Sequence, residues 1–249
     1  MRLDAEDLIN SLLVTHLRLI DPDIVLRDII NTALGYDAIG KDELGHGYVK
    51  YHPWALLDPP RERSPQGRQS YLGAFPALRA STAGPKEGVS EADLLLELGN
   101  LKTKVRCDTL VVFELKLRSS LSKSTAHDSQ RDQATRGFDV LWNRASRLGI
   151  TKFYFILLDN QRAPDPLIVR MKSPAFLRQQ FGARGGDHEF YGSMAKRIGW
   201  IPYDTVRSII IQCLPRIKSH AEYQAAEDLT FLLNEVVQSS VVQQSFDLV

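Results

Sequence analysis

Two apolar runs, Leu94–Leu98 and Leu110–Leu117, flank the polar segment from Gly99 to Thr109. Each is too short for a core helix and too continuous for a strand with one wet face, so both read as strands of a buried sheet. Side chains alternate across a strand. Asp93, Leu95 and Glu97 therefore share one face of the first run, opposed by Leu94, Leu96 and Leu98. In the second, Leu110, Val112, Glu114 and Lys116 are opposed by Val111, Phe113, Leu115 and Leu117. One face is wholly apolar, and the other becomes charged only at its end, as where a buried sheet opens into a cleft.

That charged end has the composition a metal-dependent phosphodiesterase needs. Phosphodiester hydrolysis uses one or two hard divalent cations held by carboxylates, and a lysine beside them can orient the attacking water. Glu114 and Lys116 point the same way, about 7 Å apart along the strand. A Glu-x-Lys tripeptide alone carries little weight, being expected about once in any chain of this size. The partner acid decides the matter. Asp108 lies six residues from Glu114, about 20 Å along an extended strand, too far to share an ion. If the two strands are antiparallel, pairing Leu98 with Leu110 sets Asp93 opposite Leu115, between Glu114 and Lys116. Glu91 and Glu97 lie on the Asp93 face and would substitute if the register slipped, and Glu43 is the one upstream acid worth naming.

Around this hairpin the order of elements is mixed α/β. Residues 4–20 have helical apolar spacing. A second helix is expected from an Asp21 N-cap, with Pro22 in its first turn, to Gly35. Residues 36–57 show no sustained period, and His46 and His52, set among Tyr48, Tyr51 and Trp54, read as structural histidines. Residues 58–90 are rich in Pro, Gly, Ser and Arg. Arg61, Arg63, Arg68 and Arg79, interleaved with Tyr71 and Phe75, would suit a lid over nucleic acid. A helix is expected from an Asp128 N-cap to Gly149, with Ala134, Phe138, Leu141, Ala145 and Leu148 on its core stripe. Strands are expected over 151–158 and near Leu167, and helices after Ser173, over 189–198, 204–213 and 221–241. The division is thus an N-terminal helical region (1–57), a basic loop (58–90), a core (91–172) and a C-terminal helical region (173–249), together one compact domain.

The formal net charge of +1 conceals a division. Residues 101–202 carry eighteen Lys and Arg against nine Asp and Glu, whereas both ends are acidic. A polyanion should meet the basic middle. The acidic, polar N-terminus does not resemble a signal peptide and no run approaches a membrane span, so a cytoplasmic protein with no membrane partner is expected. Cys107 and Cys213 stand far apart with no zinc or disulfide spacing.

Residues 90–160 resemble the PD-(D/E)xK nuclease superfamily. The match is an acid opening an apolar strand (SEADLLLEL), a strand ending VVFELK, a glutamine-bearing helix (SQRDQATRGFD) and a further strand (KFYFILL), with Ala92 where the name-giving proline often sits. The resemblance implies a restriction-endonuclease-like fold: a mixed β-sheet core flanked by helices, here with extra N- and C-terminal helices. It implies Asp93 and Glu114 as ligands of Mg²⁺ or Mn²⁺, joined by the Leu115 carbonyl, and Lys116 as the catalytic lysine. A helix glutamine supports the site in some branches. Gln133 is preferred, with Gln130 the other candidate. DNA is the expected substrate, cut as by an endonuclease, with Lys123, Arg131 and Arg136 on its phosphates and a second copy of the chain as the candidate protein partner. The rival reading is an inactive module of the same fold that binds nucleic acid or a protein.

Overall fold

A computed structural model describes residues 5–57, 90–117, 121 and 132–246. Its centre is a five-stranded mixed sheet in the order β1-β2-β3-β4-β5: β1 (Val49–Leu57), β2 (Ser90–Asn100), β3 (Val105–Lys116), β4 (Lys152–Asp159) and β5 (Ile198–Pro202). The first three strands are antiparallel, while β3, β4 and β5 run parallel. Parallel neighbours require crossovers. α3 (Gln133–Leu148) lies between β3 and β4, and α4 (Pro166–Met171), α5 (Pro174–Phe181) and α6 (His188–Ala195) lie between β4 and β5.

Each face of the sheet has its own core. Leu94, Leu96, Leu98, Val111, Phe113 and Leu115 pack with α1 (Ala5–Leu19), α2 (Leu26–Leu34), α7 (Tyr203–Cys213) and α8 (His220–Phe246). Leu95, Leu110, Val112, Phe155 and Leu157 pack with α3 to α6. The two-faced hairpin expected from the sequence is therefore present, covered by helices on both sides. No helix among the described residues is long and apolar enough to cross a membrane.

Four expectations need correction. α2 begins at Leu26; Asp21 instead closes the preceding turn, its Oδ1 accepting from the Asp23 N–H at 3.0 Å. The described α3 starts at Gln133 with Asp132 as its N-cap, accepting from the Thr135 N–H at 2.7 Å, so the cap falls four residues after Asp128. The segment near Leu167 is the helix α4, not a strand. Asp165 caps it and Pro166 occupies its first turn, and Leu167, Ile168 and Met171 are buried at helical spacing. β1 and β5 were not expected at all, and β1 lies within the segment read as helical.

β1 hides from periodicity because its faces exchange partway along. Tyr51 packs on the α1 side, whereas Ala55 and Leu57, of the same parity, pack on the α3 side. The exchange occurs at Trp54, whose φ of +52° is an outlier for a bulky residue. Pro53 beside it is tolerated because β1 is an edge strand. β5 is short and buried, and a Cβ on Gly199 would come within 2.9 Å of the Ala33 carbonyl oxygen, so glycine is what lets α2 lie against it.

Candidate active site

The β2–β3 ladder runs from Leu98↔Thr109 to Leu94↔Phe113. Continued by one step, that register sets Asp93 across from Glu114, not from Leu115 as expected. The single residue matters, because residues opposite one another in an antiparallel pair share a face. Opposite Leu115, Asp93 would have faced away from Glu114.

Beyond Leu94 the ladder gives way to side-chain bonds. The Leu115 N–H donates to Asp93 Oδ2 at 2.7 Å, and the Asp93 carbonyl accepts from Asn10 Nδ2 of α1 at 2.8 Å. Trp54, between the pairs Pro53↔Leu94 and Ala55↔Ala92, lies across from Asp93 on the other side. Strand pairing is thus relaxed on both flanks of this one acid.

Glu114 is buried at 5% exposure. Lys116 Nζ stands 2.9 Å from Glu114 Oε1 and 3.9 Å from Asp93 Oδ2. Gln133 Nε2 donates to the same Glu114 oxygen. Its placement follows from α3. The Asp132 cap fixes where the helix begins, and Gly137 brings it down on the sheet, since a Cβ there would come within 2.7 Å of the Phe155 ring. Ala134, Phe138, Leu141 and Ala145 then fasten the helix to β3 and β4. Gln133, the first residue of α3, is carried onto Glu114, with the positive end of the helix behind it. Asp93, Glu114, Lys116 and Gln133 therefore meet at one end of the sheet.

The arrangement suits a hard cation. The lysine ammonium lies near two carboxylates at once, the ligand type a divalent ion takes. The two acid oxygens, each measured to that nitrogen, lie within about 7 Å of each other, and both must close on an ion with ligand distances of roughly 2.0–2.6 Å. Among the described residues no group of three or more His, Cys, Asp or Glu side chains is arranged to hold a metal. The protein ligands here would be two carboxylates and main-chain oxygen, the sparse set Mg²⁺ accepts while keeping several waters. The Leu115 side chain belongs to the opposite core, so only its carbonyl could take part.

Two neighbours escaped the sequence reading. Asn10 is one. The other is Asp159, the register partner of Lys116 at the end of β4, 3% exposed. Its Oδ1 accepts from Trp200 Nε1 at 2.9 Å and the Gln161 N–H at 3.1 Å. Burial pushes its carboxyl up to about 6, against the pull of those two bonds, and Asp165 adds to the rise. An acid closing a strong strand was the available signal. Asn10 had none, since a single polar residue on an amphipathic helix is unremarkable in sequence.

The remaining candidates fall elsewhere. Arg136 lies on α3 one turn beyond Gln133 and is half-buried. Lys123, Arg131, Gln130 and the arginines from Arg61 to Arg79 lie outside the described residues, as does the Glu91 side chain. Glu43 is near the far end of the sheet, its carbonyl accepting from the Leu101 N–H at 2.8 Å. Glu97 is engaged by Arg144, His52 and Lys50. His46 lines a separate basic cavity of about 380 Å³ with Arg18 and Lys50. No family model matches the chain, and no curated protein or solved structure matches it.

Proposed function

We propose that this chain is a Mg²⁺- or Mn²⁺-dependent deoxyribonuclease with a restriction-endonuclease-like fold, cutting as an endonuclease. The observation that carries the reading is the meeting of Asp93, Glu114, Lys116 and Gln133 at the carboxyl end of β3. Asp93 and Glu114 would hold the cation, with the Leu115 carbonyl as a further protein ligand. The chemistry a bound cation supplies is polarisation of the scissile phosphate and a lowered pKa for the attacking water. Lys116 orients that water for in-line attack on phosphorus, opposite the departing ester oxygen. Gln133 fixes the Glu114 carboxylate. Arg136, with Lys123 and Arg131, contacts backbone phosphates.

The test is metal-dependent nicking of supercoiled plasmid. Wild type should cut with Mg²⁺ or Mn²⁺ and not with EDTA, and neither Glu114→Ala nor Lys116→Ala should cut. Equal cutting by wild type and both variants would remove the site assignment. DNA binding without cutting under any divalent ion would instead favour the inactive binding module.

A further inference from the structure

Asn10 occupies an unusual place for an asparagine. It lies on the buried stripe of α1, in helical register with Leu13, Val14 and Leu17, and is 3% exposed. Its Nδ2 donates to the Asp93 carbonyl, which can only accept, so chemistry fixes the orientation of the amide. Its Oδ1 is then left buried with no partner. A buried acceptor left unsatisfied keeps its desolvation penalty, and an apolar residue of similar size would avoid it. Structural economy does not account for this residue.

We infer that Asn10 is a positioning residue of the cation site. This rests on the metal-dependent reading above and extends it to α1. At Asp93 the carboxylate has taken the Leu115 N–H, and the carbonyl accepts from Asn10. Nδ2 holds the peptide in place, and with it the carboxylate facing Glu114. A buried water, which typically makes two to four hydrogen bonds, would satisfy the Asn10 Oδ1. Asn10 itself touches neither substrate nor reacting atoms.

The discriminating variant is Asn10→Leu, nearly the same size with neither donor nor orphan acceptor. Three quantities are read on the full chain: melting temperature without metal, Mn²⁺ affinity by electron paramagnetic resonance, and hydrogen exchange at the Leu115 amide. The expected result is a folded protein melting no lower than wild type, Mn²⁺ binding weakened about 10- to 100-fold as for other groups that orient ligands, and faster Leu115 exchange. Nicking should then need more metal, with kcat at saturating metal nearly unchanged. A merely structural role would move the melting temperature and leave metal affinity alone. If Asn10→Leu does not fold, Asn10→Ser, whose hydroxyl is too short to reach the Asp93 carbonyl, is read in the same way. Unaltered Mn²⁺ affinity and Leu115 exchange in a folded variant overturn this inference alone. A wild type that binds no Mn²⁺ overturns it together with the proposed function.

Discussion

Two acids of β2 that lie four residues apart, Asp93 and Glu97, have opposite fates. Glu97 accepts from Arg144 at 2.9 Å and lies 3.6 Å from His52 and 3.8 Å from Lys50. Burial works to raise its carboxyl pKa, but the Arg144 bond and the nearby His52, Arg144 and Lys50 outweigh it and hold the acid below its ordinary range. At the other end Asp93 and Glu114 both lie against the ammonium of Lys116. The first cluster surrounds one acid with basic side chains, whereas the second brings two acids together beside a lysine. Asp159 makes a third case. Its hydrogen-bond donors Trp200 and the Gln161 N–H are neutral, so burial prevails and its carboxyl rises to about 6. The charge of an acid's neighbours, more than its presence in a strand, sets the direction in which Glu97 and Asp159 depart from an ordinary carboxyl.

The strongest way to break this contrast is to exchange the treatment of the two acids. Glu114→Ala or Lys116→Ala should lower metal-dependent plasmid nicking by about 10³-fold, the scale of losing a group that acts on developing charge. Glu97→Gln should leave nicking at the wild-type rate. Comparable losses from both ends would dissolve the distinction. Gln133→Ala should cost about 10- to 100-fold, chiefly in the metal concentration needed, because it only holds Glu114. A titration of nicking against Mg²⁺ reads that directly.

Asp159 sharpens the comparison through pH. Its folded pKa is about 6 against an ordinary 3.8, so the folded state holds the proton more tightly than the unfolded state. The stability this confers is fully present below about pH 4 and is lost as pH rises through about 6. Asp159→Asn should therefore be more stable than wild type at pH 7, by about 3 kcal/mol at most, with the difference vanishing below about pH 4. Urea melts at pH 3.5, 5 and 7 measure it, and a pH-independent difference would contradict the neutral-donor account. The smallest effect belongs to the cluster that looks most charged. Arg144→Ala, whose side chain is 36% exposed, should cost only about 1 kcal/mol in a melt at pH 7, since a half-wet ion pair is screened by solvent.

The parts legible in sequence were those written in local patterns. The hairpin faces followed from alternation, and Glu114 and Lys116 shared one because they are two apart. Gln133 could be named, although choosing it over Gln130 relied on resemblance. Parts that depend on what lies alongside were not legible. Val49–Leu57 gave no strand signal because its faces exchange at Trp54, and Pro166–Met171 gave a false one because its apolar residues are contiguous. The hairpin register was missed by one residue, since Leu98–Thr109 and Leu98–Leu110 pairings bury nearly the same leucines.

By itself, then, the sequence determined an α/β core with two apolar strands, and it placed an acid and a lysine on one face of the second. Strand periodicity is local and survives without knowledge of neighbours. Only the tertiary structure decided that Asp93 faces Glu114, that α3 lowers Gln133 onto that acid across Gly137, and that Asn10 reaches in from α1. Register and helix docking are set by contacts between residues far apart in the chain, and no period within a single segment encodes them.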